Sequence, residues 1–235
     1  MSEQIAVDVW SDVACPWCFV GKRKLENGIA AFNAAHPDVA VNVTYHSYQL
    51  DPSMPENFEG GQAKYLSEVK GLAPDRLAAM NQRLTEIAAG VGLNYDMPAV
   101  QMTNTALAHQ LLQYAKTVGL QAPMKERLMQ AHFEEGKHVG RVDDLVALAV
   151  EVGLDAAAAR AALESGEFKA AFQADVARAQ EYGINGVPFF VIQKKYGIEG
   201  AQNAEVFEHA FNTVLGEMTG TSDSDESVSS PDAAN

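Results

Sequence analysis

Cysteine is scarce in this chain of 235 residues, which contains only Cys15 and Cys18. A structural disulfide framework is excluded, because one such pair would close a loop far too short to brace a chain of this length. Two cysteines this close together indicate redox chemistry or metal binding. A zinc site needs further ligands, and the sequence has neither a second C-x-x-C pair nor a histidine pair at zinc-finger spacing. We therefore predict a redox dithiol and no metal site.

Basic residues and long apolar runs are also in short supply. Lysine and arginine number 17 against 31 aspartates and glutamates, which gives a formal net charge of −14. Such a surface repels phosphate backbones and anionic lipids, so we expect neither nucleic acid nor membranes as partners. No apolar stretch approaches the ~20 residues that span a bilayer. Residues 1–10 lack the basic cluster and apolar run of a secretory signal peptide, and we expect a cytoplasmic protein.

The beginning of the chain has the pattern of a strand, a helix and a second strand. Residues 5–10 are apolar and β-branched, and residues 39–49 alternate between apolar and polar side chains, so both predict strands. Residues 17–33 predict a helix, with Pro16 in its first turn, where the missing N–H would have no partner. This order predicts a right-handed parallel βαβ unit.

The rest of the chain divides into a helical part and a second β part. Between residues 61 and 182 the apolar positions repeat with helical period and predict about six helices. Residues 187–192 and 196–199 predict two strands, and residues 204–218 predict a final amphipathic helix. Residues 219–235 form an acidic, serine-rich tail that we predict to be disordered. The predicted fold class is α/β: a βαβ…ββα unit of residues 1–60 and 183–218, with an inserted all-helical domain of residues 61–182.

The dithiol motif Cys15-Pro16-Trp17-Cys18 lies at the predicted turn from strand to helix. Free N–H groups and the dipole of a helix start stabilise negative charge, so we expect the pKa of Cys15 to be lowered. The helix turns Cys18 to within disulfide reach. We predict that Cys15 is the nucleophile and that Cys18 resolves the mixed disulfide. Trp17 adds a flat apolar face for a substrate, and Pro16 withholds an N–H from the sulfur.

A second motif, Gly186-Val187-Pro188-Phe189, opens a buried strand with a proline. Proline in that place is unusual, because it forfeits a ladder hydrogen bond. A cis Val187–Pro188 bond would leave the backbone groups of Val187 free to pair with an extended substrate. The alternative is an ordinary trans proline at the start of a strand. The dithiol motif elsewhere in the chain favours the cis form.

Together these motifs resemble the DsbA-like thioredoxin superfamily. The FrnE-like branch is indicated more narrowly by SDVACPWC at residues 11–18, NTALAH at residues 104–109 and GINGVPFFVI at residues 183–192. The resemblance extends over most of the predicted folded part. It implies a thioredoxin fold with a helical insertion, and a cis proline at Pro188 that faces Cys15. It also implies a thiol–disulfide oxidoreductase or disulfide isomerase that acts on protein or small-molecule disulfides.

Two other groups resemble this architecture and leave alternatives open. The 2-hydroxychromene-2-carboxylate isomerases and kappa-class glutathione transferases use glutathione, typically with a serine in place of Cys15 and without the second cysteine. The loop at residues 200–203, where these relatives hold glutathione, has Ala201 and Gln202 instead of the usual polar and acidic residues. Glutathione is therefore a candidate co-substrate, and no other cofactor is expected. A glutathione-dependent isomerase or transferase and a chaperone-like holdase stay as alternative functions.

Three further residues are candidates for lining the cleft beside the dithiol: Asn104, His109 and Gln202. Asn104 and His109 lie near the start of a predicted helix. Asn104 is typical of a helix cap, and His109 could equally be a core residue with one hydrogen bond. The sequence leaves both interpretations open. It also leaves open the direction of the redox reaction and the redox partner.

Overall fold

The computed structural model describes residues 4–220, so the predicted disordered tail lies almost wholly outside the described residues. The chain begins with strand β1 (Gln4–Ser11), helix α1 (Pro16–Ala35) and strand β2 (Ala40–Ser47). It ends with β3 (Phe189–Ile192), β4 (Tyr196–Glu199) and α9 (Ala204–Thr219). The sheet has the order β2-β1-β3-β4. Strand β1 is parallel to β2 and antiparallel to β3, as the predicted βαβ…ββα order requires.

The segment between β2 and β3 is helical. It contains two short elements, α2 (Gly61–Lys64) and a π-helical turn (Tyr65–Val69), and a later 3-10 turn (Met97–Ala99). The longer helices are α3 (Pro74–Ala89), α4 (Ala106–Thr117), α5 (Gln121–Phe133), α6 (Val142–Glu151), α7 (Ala156–Ser165) and α8 (Lys169–Glu181). This confirms the predicted α/β class with a helical insertion. No helix in residues 4–220 is both long and apolar enough to cross a membrane.

The buried apolar residues form several clusters, and one of them contains the dithiol. One lies between the sheet and helices α1 and α9, where the inward side chains of β1 alternate with exposed ones. A second fills the helical part, mainly between α4, α5, α6 and α7. A third contains both cysteines, the next residues of α1, and residues from α3 and α5. The dithiol therefore lies at the junction of the sheet and the inserted helices.

A buried polar contact also joins the two parts. The imidazole of His46 on β2 contacts Asp175 of α8 through Nδ1 and Asp8 of β1 through Nε2, each at 2.7 Å. The backbone N–H of Ser47 donates to Asp175 at 3.0 Å, and the indole N–H of Trp10 donates to the Asp175 carbonyl oxygen at 3.1 Å. Helix α8 is thus fixed against the sheet by polar groups that are shielded from water.

Candidate active site

The two cysteines lie where α1 begins. Cys15 is the N-cap residue with extended backbone angles, and Pro16 takes the first helical position. The backbone N–H of Cys18 donates to the Cys15 carbonyl oxygen at 3.0 Å. Both side chains are nearly buried, with 4% of Cys15 and 2% of Cys18 exposed. Substrate sulfur therefore has to approach Cys15 through a narrow opening.

The loop before β3 lies directly against Cys15. The Val187–Pro188 peptide bond is cis. The Cys15 thiol donates to the Val187 carbonyl oxygen, with 3.6 Å between sulfur and oxygen. On the next turn of α1, a Cβ added to Gly21 would be only 2.8 Å from Cγ of Pro188. Only glycine at position 21 lets the helix and this loop approach so closely.

The electrostatic surroundings of Cys15 differ from the sequence-based expectation. The adjacent Cys18 thiol and burial raise the pKa of Cys15 well above its ordinary value, and the nearby Asp12 carboxylate acts in the same direction. The backbone N–H of Cys18 acts in the opposite direction but does not outweigh them. The prediction of a lowered pKa is therefore wrong for the reduced protein. That prediction rested on the free N–H groups and dipole at the helix start. The burial of Cys15 and the nearby sulfur of Cys18 were not part of it.

Asp12 forms a buried polar centre just before the dithiol. Its Oδ1 accepts a hydrogen bond from Nε2 of His109 at 3.1 Å, and its Oδ2 accepts from the Leu50 N–H at 2.8 Å. Burial on its own would raise the pKa of Asp12, but the hydrogen bond and charge of His109 and the Leu50 N–H outweigh it and lower the pKa. The imidazole of His109 stacks on Phe172 and is fully buried. His109 thus reaches the dithiol region through Asp12.

The other two candidate residues have local roles. Asn104 accepts from the Ala106 N–H at 2.9 Å near the start of α4, and its amide donates to the Met54 carbonyl oxygen at 2.7 Å. Gln202 donates to the Glu199 carbonyl oxygen at 2.9 Å, which ties the loop after β4 to itself. Neither residue lines the groove next to the dithiol motif, and neither does His109. A contact of these three with substrate stays a prediction.

A groove of about 660 Å³ opens next to the dithiol motif. Its lining includes Pro16 and Trp17, and 42% of the Trp17 surface is exposed. Helix α3 contributes Met80 and Leu84 to the same groove, and most of the groove surface is apolar. The apolar face of Trp17, which we expected to contact substrate, therefore continues into a larger apolar surface that the inserted helices form.

Two polar residues near the dithiol escaped the sequence analysis. The hydroxyl of Tyr95 donates to the Pro16 carbonyl oxygen at 2.7 Å. Lys125 of α5 is almost fully buried, and its Nζ lies 3.4 Å from the Ser11 carbonyl oxygen. Burial lowers the pKa of Lys125, although the charges of Cys18 and Asp12 oppose it. The burial of Lys125 could have been predicted from the sequence, since it occupies a core position between Met124 and Leu128. No local pattern marks Tyr95.

Comparison with known proteins supplies the family. A family model described as a DSBA-like thioredoxin domain matches residues 6–212. The uncharacterized protein YwbO of Bacillus subtilis is 30% identical over 210 residues, which are 88% of this chain and 96% of that protein. The crystal structure of a probable DsbA oxidoreductase from Streptomyces coelicolor shares 34% identity with a TM-score of 0.85, covering 91% of each chain.

A more distant likeness concerns the fold. The cytosolic disulfide reductase DsbM from Pseudomonas aeruginosa has a TM-score of 0.60 at 20% identity, covering 89% of this chain and 98% of its own. The family match extends over nearly all of the described chain, and it includes the dithiol at the start of α1 and the loop that contains Pro188. The chain belongs to the DSBA-like thioredoxin domain family.

Proposed function

We propose that this protein is a thiol–disulfide oxidoreductase whose dithiol is Cys15 and Cys18. The observation that carries the proposal is the position of Cys15 at the start of α1, with its sulfur 3.6 Å from the Val187 carbonyl oxygen. Membership of the family and the likeness to a probable DsbA oxidoreductase support the same activity. Placement in the FrnE-like branch stays a prediction.

The proposed reaction uses the two sulfurs in sequence. The Cys15 thiolate attacks a substrate disulfide, forms a mixed disulfide and releases one substrate thiol. The Cys18 thiolate then attacks the Cys15 sulfur and releases the second substrate thiol, which leaves a Cys15–Cys18 disulfide. Substrate gains two electrons and two protons, and the protein loses them. The same steps in reverse oxidise a dithiol substrate.

Four neighbouring residues have proposed roles in holding the substrate. The Val187 carbonyl oxygen faces the Cys15 sulfur, so the backbone of Val187 is proposed to pair with an extended substrate, and Pro188 packs closely beside Gly21 of α1. The exposed ring of Trp17 offers an apolar contact next to Pro16. We propose protein or small-molecule disulfides as substrates. We further propose a cytoplasmic location, with glutathione as a candidate co-substrate that returns the dithiol to its reduced form.

A turnover assay with insulin and a thiol reductant tests this function. We expect insulin reduction by the wild-type protein and none above background by Cys15→Ser, because serine cannot form the mixed disulfide. Cys18→Ser serves as the matched variant, since it keeps the nucleophile and should accumulate the mixed disulfide with substrate. Equal turnover by Cys15→Ser and wild type would refute the mechanism. Tight glutathione binding without disulfide turnover would favour a glutathione-dependent isomerase instead.

A further inference from the structure

The groove next to the dithiol motif has features that restrict what it can hold. Helix α3 presents Met80, Arg83 and Leu84 to the groove, three residues that share one face of the helix. Pro16 and Trp17 line the same groove. Neither cysteine lines the groove, but these two residues of the dithiol motif do, so a molecule whose sulfur reacts at Cys15 can extend from them along an apolar surface towards α3.

Two cations line this groove, and only one of them is neutralised by the protein. Nζ of Lys70 lies 3.2 Å from Oδ2 of Asp51, which also accepts a hydrogen bond from the Tyr65 hydroxyl. Hydrogen bonds from Ser53 and Tyr65 hold the pKa of Asp51 below its usual range, so it is an anion at neutral pH. Arg83 makes no hydrogen bond or ion pair with any residue between 4 and 220.

Arg83 is exposed, and Arg76 of the same helix also has no partner among the described residues, but of the two only Arg83 lines the groove. The formal net charge of −14 would repel an anionic ligand at long range. Any preference for an anion at the groove must therefore come from a local contact. The guanidinium of arginine is well suited to a carboxylate, because its N–H groups can bind both oxygens.

We infer that the groove binds thiol or disulfide compounds whose apolar chain ends in a carboxylate, with the sulfur at Cys15 and the carboxylate at Arg83. This inference rests on the proposed function, because it places the reacting sulfur of the ligand at the dithiol. The substrate class is thus a small amphipathic acid.

Dihydrolipoate is a suitable probe, since it combines a dithiol, an apolar chain and a terminal carboxylate. One of its thiolates attacks Cys15 of the oxidised protein, forming a mixed disulfide and releasing Cys18 as a thiolate. Its second thiolate then closes the lipoate disulfide and releases Cys15. The protein gains the two electrons that the probe loses. Dihydrolipoamide has the same sulfurs and chain without the charge, and dithiothreitol lacks both chain and charge.

The test compares second-order rate constants for reduction of the oxidised protein by these three thiols. We expect dihydrolipoate to react about fivefold faster than dihydrolipoamide, as a local ion pair would give. Arg83→Ala should abolish this preference. Arg76→Ala is the matched control, because Arg76 is an exposed arginine of the same helix that does not line the groove. Equal rates for acid and amide, or equal losses in both variants, would overturn the inference.

A binding measurement separates this inference from the proposed function. Octanoate has the chain and the carboxylate but no sulfur, and its binding can be followed by the fluorescence of the exposed Trp17. We expect Arg83→Ala to bind octanoate about fivefold more weakly than wild type and Arg76→Ala. Failure of all three thiols to reduce the protein would refute the proposed function alone. Unchanged octanoate binding in Arg83→Ala would refute the carboxylate site alone.

Discussion

Cys15 is held in a position where losing its proton is difficult, and Cys18 is the largest cause. The adjacent Cys18 thiol, together with burial, raises the pKa of Cys15 in the reduced protein. Replacing Cys18 with alanine removes the neighbouring sulfur but keeps burial and the backbone N–H at the helix start. We expect the pH midpoint of Cys15 alkylation by iodoacetamide to fall in Cys18→Ala. Mass spectrometry of quenched samples across a pH series measures it.

The control for this prediction is Ser11→Ala, which removes a buried polar side chain near the dithiol and leaves both sulfurs in place. Its alkylation midpoint should match that of wild type. A midpoint that stays unchanged in Cys18→Ala would mean that burial alone determines the pKa of Cys15. A midpoint that rises would mean that Cys18 stabilises the Cys15 thiolate.

Asp12 contributes a stability that depends on pH. Burial would raise its pKa, but the hydrogen bond and charge of His109, the Leu50 N–H and the charge of Lys125 together outweigh burial and lower it below the unfolded value. A group with a lowered folded-state pKa stabilises the fold above its unfolded pKa of ~3.9 and loses that effect as the pH falls through the folded value. We expect Asp12→Asn to lower the free energy of unfolding by about 1–3 kcal/mol at neutral pH.

Urea denaturation at neutral pH and at pH values below ~4 measures this difference. The gap between Asp12→Asn and wild type should narrow in acid, because protonated aspartate and asparagine then carry the same charge. Asp38→Asn is the comparison, since Asp38 is an exposed aspartate in the loop between α1 and β2. A gap that is constant over the whole pH range would show that the lost charge is not the cause.

Only residues marked by local motifs could be placed from the sequence. Cys15 and Cys18 are close in the chain, and the proline motif at residues 186–189 carries its own signature. The contact between Asp12 and His109 joins residues 97 positions apart, and no spacing rule predicts it. The same holds for the groove, since Arg83 and Trp17 come together only through the packing of α3 near the start of α1.

At the scale of elements, the contact between α1 and α9 depends on one glycine. A Cβ at Gly28 would lie 2.7 Å from Cβ of Phe207 and 2.8 Å from the Ala204 carbonyl oxygen. Alanine has the better helix propensity by about 1 kcal/mol, yet overpacking of a buried site costs about 1–3 kcal/mol. We therefore expect Gly28→Ala to destabilise the protein. Thermal unfolding measures it, with the neighbouring exposed Asn27→Ala as the helix-propensity control.

The opposite outcome for Gly28→Ala would be equally informative. If Gly28→Ala raised the melting temperature as Asn27→Ala is expected to do, α9 would have to shift away from α1 without cost. The contact would then be looser than the distances show. Such a result would also weaken the corresponding explanation for Gly21, where the added Cβ would meet Pro188.

Elements with a regular period were predictable, and irregular ones were not. The four strands and the long helices follow apolar repeats that the sequence shows, and the predicted ends of the strands, of α1 and of α9 agree with the structure to within a few residues. The turns at Tyr65–Val69 and Met97–Ala99 are too short for a period to emerge. Tyr65 in the first of these lines the groove, so part of the candidate site lies where periodicity gives no signal.

For the whole molecule, the inserted helices share buried surface with the sheet-containing part. The cluster around the dithiol includes Phe19 of α1, Leu84 of α3 and Phe133 of α5. The boundaries predicted at residues 60 and 182 stay a prediction. The chain is divided there by the type of its secondary structure, whereas its buried contacts cross both boundaries. Cooperative unfolding is the physical consequence of such crossing contacts.

Asp175 allows that cooperativity to be tested, because it links α8 to β2 through His46. Burial would raise the pKa of Asp175, but the hydrogen bond and charge of His46 together with the hydrogen bonds from the Ser47 N–H and Gln113 outweigh it, lower the pKa and keep the carboxylate charged. We expect Asp175→Asn to cost about 3 kcal/mol at neutral pH, since it breaks a buried polar pair. In a Trp17→Phe background, Trp10 fluorescence reports this junction, and far-ultraviolet circular dichroism reports mainly the helices. Both signals should shift to lower urea together, whereas a shift of fluorescence alone would mean that the inserted helices unfold on their own.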